Sequence, residues 1–426
     1  MLDLHVAVVA ALSLEPAPDP LVPIAGGPGQ ASTDFYAANV AAFEKIRRNR
    51  DILLLDQRGT GQSVPLDCDI DDDIVQGQMS AAQTLAAATA CLDSLPHDPR
   101  YFTTSVAVAD LDALREALGY PDLNLYGISY GSRVAQHYLR QYPETTRTVI
   151  LDGVVPPQIA LGPAIATEAQ KALDAIFARC AEDPACDQRF PELARRFGEL
   201  RNVLAAAPAE VTLPHPITGN RDTVLFGADE LGGAIRLLSY HPSTVALIPV
   251  LIHEAASDNL APLASQFLMI RDNLSDSLSI GMHNAVVCTE DAPFFAGEAI
   301  TDEELAATYL GPMVLDALRT ICSVWPAGVI DQGFKTPVDS AKPVLLLSGE
   351  ADPITPPGFA MMAAVDLGNA RLLEGRLQGH GQAPRGCMPD VMAEFVESGD
   401  PVDLDTECLD RQFAMPFFLD LSGPAP

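Results

Sequence analysis

The sequence predicts an α/β fold with a mostly parallel central sheet and a largely helical insertion. Three observations carry this. Short apolar runs alternate with segments of helical periodicity, the pattern of a parallel sheet flanked by helices. The alternation stops after Val155, at Pro156-Pro157, and strand character returns only at Pro343. A Gly-x-Ser-x-Gly pentapeptide joins one of the strands to one of the helices.

The strand candidates are 4–10, 21–24, 51–55, 123–126, 148–151, 343–347 and 370–373. Residues 106–118 have apolar positions at helical spacing and stop at Gly119, and 132–142 form a second helix stopped by Pro143. One insertion splitting one sheet implies a catalytic core of 1–156 and 337–426 with a cap of 157–336. The cap reads as Ala-rich helices with one short strand, 222–226. Residues 2–14 look superficially like a leader peptide. They lack a basic start, carry Asp3 and His5, and run into a proline-rich turn, so a strand and a turn are expected. An exported form would have its leader outside this sequence.

Of the 426 residues 48% are hydrophobic, enough for a large core, and disorder is excluded. The net charge of −31 repels phosphate backbones and anionic lipid, so nucleic acid is not an expected partner. The acidity reads as solubility, with steering of a cationic substrate as the alternative. No run is long enough for a membrane span. The eight cysteines fall in local pairs: Cys68 and Cys91, Cys180 and Cys186, Cys288 and Cys322, Cys387 and Cys408. Adjacency alone leaves the connectivity open. No CxxC motif is present, so zinc and thioredoxin-like chemistry are unsupported, and no metal or cofactor is expected. Disulfides and an oxidising compartment, periplasmic or extracellular, are expected over reduced cysteines in the cytosol.

The pentapeptide is Gly127-Ile128-Ser129-Tyr130-Gly131. A strand that turns sharply into a helix needs small residues two positions before and after the serine. The helix N-terminus also offers N–H groups to a developing negative charge. Ser129 is therefore the candidate nucleophile and needs a base. In the α/β-hydrolase fold, which this context indicates, the acid and the histidine follow the serine in the chain. Asp352 ends the strand 343–347 in a Ser-Gly-Glu-Ala-Asp-Pro loop, and His380 lies between Gly379 and Gly381. Glu350 is the reserve acid and Asp152 a weaker one. The oxyanion hole is expected from the backbone N–H of Tyr130 and of Gly26 or Gly27. The loop Asp56–Ser63 lacks the lysine of a phosphate loop and reads as a structural turn, with Arg58 a buried charge partner.

Six segments carry a resemblance: AGGPG at 25–29, DQRGTGQS at 56–63, GISYGS at 127–132, CTED at 288–291, GEADPITPP at 349–357 and GHG at 379–381. In this order they resemble the secreted α/β-hydrolases related to prolyl aminopeptidase and the bacterial tripeptidyl aminopeptidases. Two positions depart from the prolyl aminopeptidase pattern: Ala25 stands where a histidine is usual, and Ile128 where the nucleophile motif has a second glycine. The resemblance implies that cap carboxylates receive a free peptide amine, with Glu290 the matching residue and Asp291 beside it. The expected function is a serine hydrolase with an acyl-enzyme intermediate, first an exopeptidase releasing short N-terminal pieces, second a carboxylesterase on small esters. A non-catalytic binding module is the remote alternative. The partner is thus a peptide or small ester, and the oligomeric state stays open.

Overall fold

The computed structural model describes residues 2–68, 79–297 and 300–424. A seven-stranded sheet is built from β1 (Val6–Val9), β2 (Leu21–Ile24), β3 (Ile52–Leu55), β4 (Leu123–Ile128), β5 (Thr146–Asp152), β8 (Val344–Gly349) and β9 (Ala370–Gly375). Its order is β1-β3-β2-β4-β5-β8-β9. Only β1 runs antiparallel, pairing β3 with Val6 opposite Leu55. This is the α/β-hydrolase arrangement the sequence indicated, and each of the seven apolar runs supplies one strand.

The runs read as continuously apolar because both faces of the sheet are covered. Val22, Leu53, Leu125, Leu151 and Leu346 face one layer, which holds the helices Thr104–Leu118 and Tyr130–Gln141. Leu21, Leu54, Tyr126, Ile150 and Leu345 face the other, with the helices Val40–Arg47 and Met388–Ser398. Successive residues of one strand thus enter different layers, as a period of two requires. The first helix ends at Gly119 in the left-handed conformation, as its sequence announced.

Between β5 and β8 the chain builds a helical body with its own core of Leu173, Ile235, Leu251, Leu263 and Leu268. It also holds a hairpin, β6 (Ala209–Pro214) with β7 (Arg221–Phe226). The sequence reading found β7 and missed β6. Alternate burial along β6 is its only signal, and flanking prolines obscure it. The chain's last stretch returns to this body: Phe417 joins its core and the Phe418 N–H donates to the Ala246 carbonyl at 3.0 Å.

Four disulfides form, Cys68–Cys91, Cys180–Cys186, Cys288–Cys322 and Cys387–Cys408, and no described cysteine is free. No described helix is long and apolar enough to cross a membrane.

Candidate active site

β4 runs directly into the helix Tyr130–Gln141, with Ser129 at the junction at φ 54° and ψ −125°. A positive φ is costly for an L side chain and persists only where the surroundings impose it. Here the Ser129 N–H donates to the Asp152 carbonyl at 2.9 Å, and the Ser132 hydroxyl donates to the Ser129 carbonyl at 2.6 Å. A Cβ at Gly127 would collide with the Gly131 carbonyl, and one at Gly131 with the carbonyls of Ile24 and Ala25. Both glycines of the motif are therefore steric requirements.

The loop after β2 passes over the serine. A Cβ at Gly26 would stand 3.0 Å from the Ser129 Cβ and 3.6 Å from its Oγ, and Gly26 and Gly27 both line the chamber that Ser129 opens into. Tyr130, as first residue of its helix, keeps an N–H with no acceptor within that helix. Tyr130, Gly26 and Gly27, the three candidates for the two oxyanion donors, thus lie around Ser129.

Asp352 and His380 meet across the ends of β8 and β9, with Asp352 Oδ2 2.8 Å from His380 Nδ1. Asp352 is buried and accepts from the N–H groups of Ile354 at 3.0 Å and Thr355 at 2.9 Å and from the Thr355 hydroxyl at 2.7 Å. Burial alone would raise the Asp352 carboxyl, but His380 and these donors outweigh it and hold it below the usual carboxylate range. Burial pulls the His380 imidazole down, and the Asp352 charge overcomes that and lifts it above its ordinary value. Thr355 was missed by the sequence reading; its signal is an aspartate whose side chain caps the two to three residues after it.

The two other acids have different work. Glu350 is exposed and its Oε2 accepts the Leu377 N–H at 2.8 Å, a tie between loops. Asp152 is fully buried and accepts from the Tyr126 hydroxyl and from the N–H groups of Gln382 and Ala383, all at 2.8 Å. It thereby fastens the loop that carries His380. Gly153, at φ 58°, also went unnoticed in the sequence, and a Cβ there would stand 2.8 Å from His380 Cε1. Arg58 pairs in a fork with Asp110, both contacts at 2.6 Å; it is a charge partner as expected, but partly rather than fully buried.

Ser129 and His380 line one chamber of about 500 Å³ between the sheet ends and the cap. Its walls are mainly apolar, with Phe35, Val155, Leu161, Leu237, Leu278 and Leu318 prominent. Its polar lining includes Arg236, Tyr240, His283 and Thr355, and among the described residues no aspartate or glutamate. His283 Nδ1 sits 3.2 Å from the Pro28 carbonyl, and burial lowers its basicity, so a neutral ring donates there. No group of described side chains could hold a metal ion.

Glu290 and Asp291, which the resemblance offers to a peptide amine, lie away from the chamber. Both are 0% exposed and neither lines the chamber. Glu290 accepts from the Thr104 N–H at 2.7 Å and the Thr104 hydroxyl at 2.9 Å. The Thr104 hydroxyl in turn sits 2.7 Å from the Tyr130 hydroxyl, which accepts from Gln57 at 3.0 Å. Asp291 pairs with Arg133 at 2.9 Å and Lys335 at 3.1 Å and accepts the Leu161 N–H at 2.9 Å. Arg133 belongs to the nucleophile's helix, so these charges latch the cap to the elbow. The buried Arg133 and the partly buried Lys335 both pair with Asp291, and Arg133 also stands 3.9 Å from Glu290. Burial raises Glu290 to about 7 against the opposing pull of Arg133. Burial, aided by Arg133, brings Lys335 down to about 8.

The chain is similar to known hydrolases. A family model described as TAP-like protein matches residues 307–408, the stretch that holds Asp352 and His380. Serine protease Hip1 of Mycobacterium tuberculosis is 25% identical over 381 residues, 81% of this chain and 71% of that protein. Carboxylesterase B of Mycobacterium tuberculosis is 28% identical over 370 residues, 78% of this chain and 68% of that one. The tripeptidyl aminopeptidase of Streptomyces coelicolor is 29% identical over 148 residues, 31% of this chain and 27% of that enzyme.

Proposed function

For a chain that belongs to the aminopeptidase-like α/β-hydrolases and is a serine hydrolase, we propose exopeptidase action on short peptides through a Ser129 acyl-enzyme. Ser129 Oγ attacks the scissile carbonyl while His380 takes its proton, and Asp352 holds the ring and its charge. The N–H groups of Tyr130 and of Gly26 or Gly27 bind the oxyanion. His380 then protonates the leaving amine, and water, activated by the same ring, releases the acyl piece.

The observation that carries this reading is the chamber. A space of about 500 Å³ roofed by the cap admits a segment of a few residues and excludes a folded chain. Its apolar walls suit the side chains of a short acyl piece. The serine protease and the tripeptidyl aminopeptidase among the relatives point the same way. One observation favours a second reading, a carboxylesterase: among the described residues no carboxylate in the lining awaits a free amine. An ester needs none. The helical body spanning 157–336 is on this reading the cap that sets length. Four disulfides support a periplasmic or extracellular site of action.

The test is a side-by-side measurement of kcat/KM on aminoacyl and tripeptidyl chromogenic amides and on short-chain p-nitrophenyl esters. Efficient release from the amides is expected. Turnover of esters with no detectable amide cleavage would replace the exopeptidase by the esterase.

A further inference from the structure

The chain has 57 acidic and 26 basic side chains, and Arg236 is a cation of the catalytic chamber with no acidic partner among the described residues. No described carboxylate forms an ion pair with it, whereas Arg50, Arg58 and Arg133 are each engaged by carboxylates. Arg236 lines the chamber that holds Ser129 and His380.

Its placement is firm. The helix Ala228–Leu238 buries Leu231, Ala234, Ile235 and Leu238 completely in the cap core. The opposite stripe, Arg236, Leu237 and then Tyr240, faces the chamber. Arg236 Nη2 donates to the Tyr240 hydroxyl at 3.1 Å. Its other donors have no acceptor among the described residues. Tyr240 links this group to the histidine: its carbonyl accepts the His380 N–H at 2.7 Å, and the two rings stand edge to face at 5.4 Å.

We propose that Arg236 is the seat for a carboxylate carried by the substrate. A guanidinium at the wall of a mainly apolar chamber, with donors free and no counter-charge in the lining among the described residues, matches a carboxylate in a planar fork. A chamber with this charge also disfavours an ammonium beside Arg236. The substrate class is a short peptide or ester bearing a negative group, either a free C-terminal carboxylate or an acidic side chain. The inference rests on the hydrolase reading of the chamber and holds for amide and ester alike.

The test compares mono-p-nitrophenyl glutarate with p-nitrophenyl pentanoate, an anionic and a neutral ester of equal chain length, on wild type, Arg236→Gln and Arg236→Lys. The readout is the ratio of kcat/KM on the anionic ester to that on the neutral one. Any effect of the arginine on His380 basicity touches both esters and cancels in this ratio. Arg236→Gln is expected to lower the ratio about tenfold or more, and Arg236→Lys to restore part of it. Labelling of Ser129 by a neutral fluorophosphonate reports that each variant is folded. An unchanged ratio in labelled Arg236→Gln overturns the proposal. Two peptide pairs, C-terminal acid against amide and internal Glu against Gln, identify which carboxylate is seated. A ratio that falls while no peptide is cleaved keeps the Arg236 seat and removes the peptidase reading. Peptides cleaved with an unchanged ester ratio do the reverse.

Discussion

The loop around His380 and the cap segment around Glu290 make an instructive pair. Each carries a short motif, and each ends near the nucleophile's helix. The His380 loop delivers its side chain to the chamber, where Asp352 holds it at 2.8 Å. The 288–291 segment turns its carboxylates inward, onto Thr104, Arg133 and Lys335. The difference lies in what surrounds them. Around His380 the imidazole meets a carboxylate clamped by Thr355, whose hydroxyl also stands 3.1 Å from its Nδ1. Around Glu290 and Asp291, two cations stand within reach, and buried charges are settled by their nearest counter-charges.

The largest expected effect sharpens the first half of this comparison. Asp352→Asn should cut kcat by about four orders of magnitude, since the ring loses its orientation and its counter-charge. Glu350→Gln, two residues away, should change it little, because that carboxylate ties a loop. The charge of Asp352 raises His380, so the acid limb of wild-type kcat/KM should lie above the ordinary imidazole range. The His must be neutral to accept a proton, so the limb should move to lower pH in the residual activity of Asp352→Asn. Equal losses in the two variants would misplace the acid.

A smaller effect is expected at Gly153. Alanine there must hold φ near 58° and would put a methyl about 2.8 Å from His380 Cε1. Displacing the ring by a fraction of an ångström should lower kcat/KM about a hundredfold while circular dichroism stays native. Activity close to wild type would show that the ring has room to move.

The smallest expected effect tests the other half. Glu290→Gln should weaken free-amine and N-acetylated substrates equally, by about tenfold or less, since the carboxylate touches no substrate. Its proton is held to about pH 7 in the folded chain, above the ordinary carboxyl value of 4.5. Between those values the folded state binds more protons than the unfolded one, so this group costs stability as pH rises. The glutamine cannot titrate. The drop in Tm between about pH 5 and about pH 8 should therefore be smaller in the variant. A loss confined to free-amine substrates would restore Glu290 as an amine receptor.

Much of the core was legible because backbone geometry dictates its residues. Gly127 and Gly131 face carbonyls that exclude any side chain, and the apolar strands are buried on both faces. Such constraints are local and leave a spacing in the sequence. What stayed hidden depends on pairing across long separations. Asp152 holds a loop 230 residues further on, and Arg133 meets Asp291 158 residues away. Arg236 and Tyr240 share a helical face with nothing in their types to mark it as the chamber side. The partners of the cap's motif acids were not legible because a motif gives residue types and spacing, and burial decides what they touch.

The central claim is that Ser129 is the acylated atom's residue in a hydrolase whose other machinery converges on it. Fluorophosphonate labelling of the native protein, with the adduct located by peptide mass spectrometry, tests it most directly. One adduct per chain on Ser129 is predicted, with none on Ser129→Ala. An adduct on another serine, or equal labelling of the alanine variant, would contradict it.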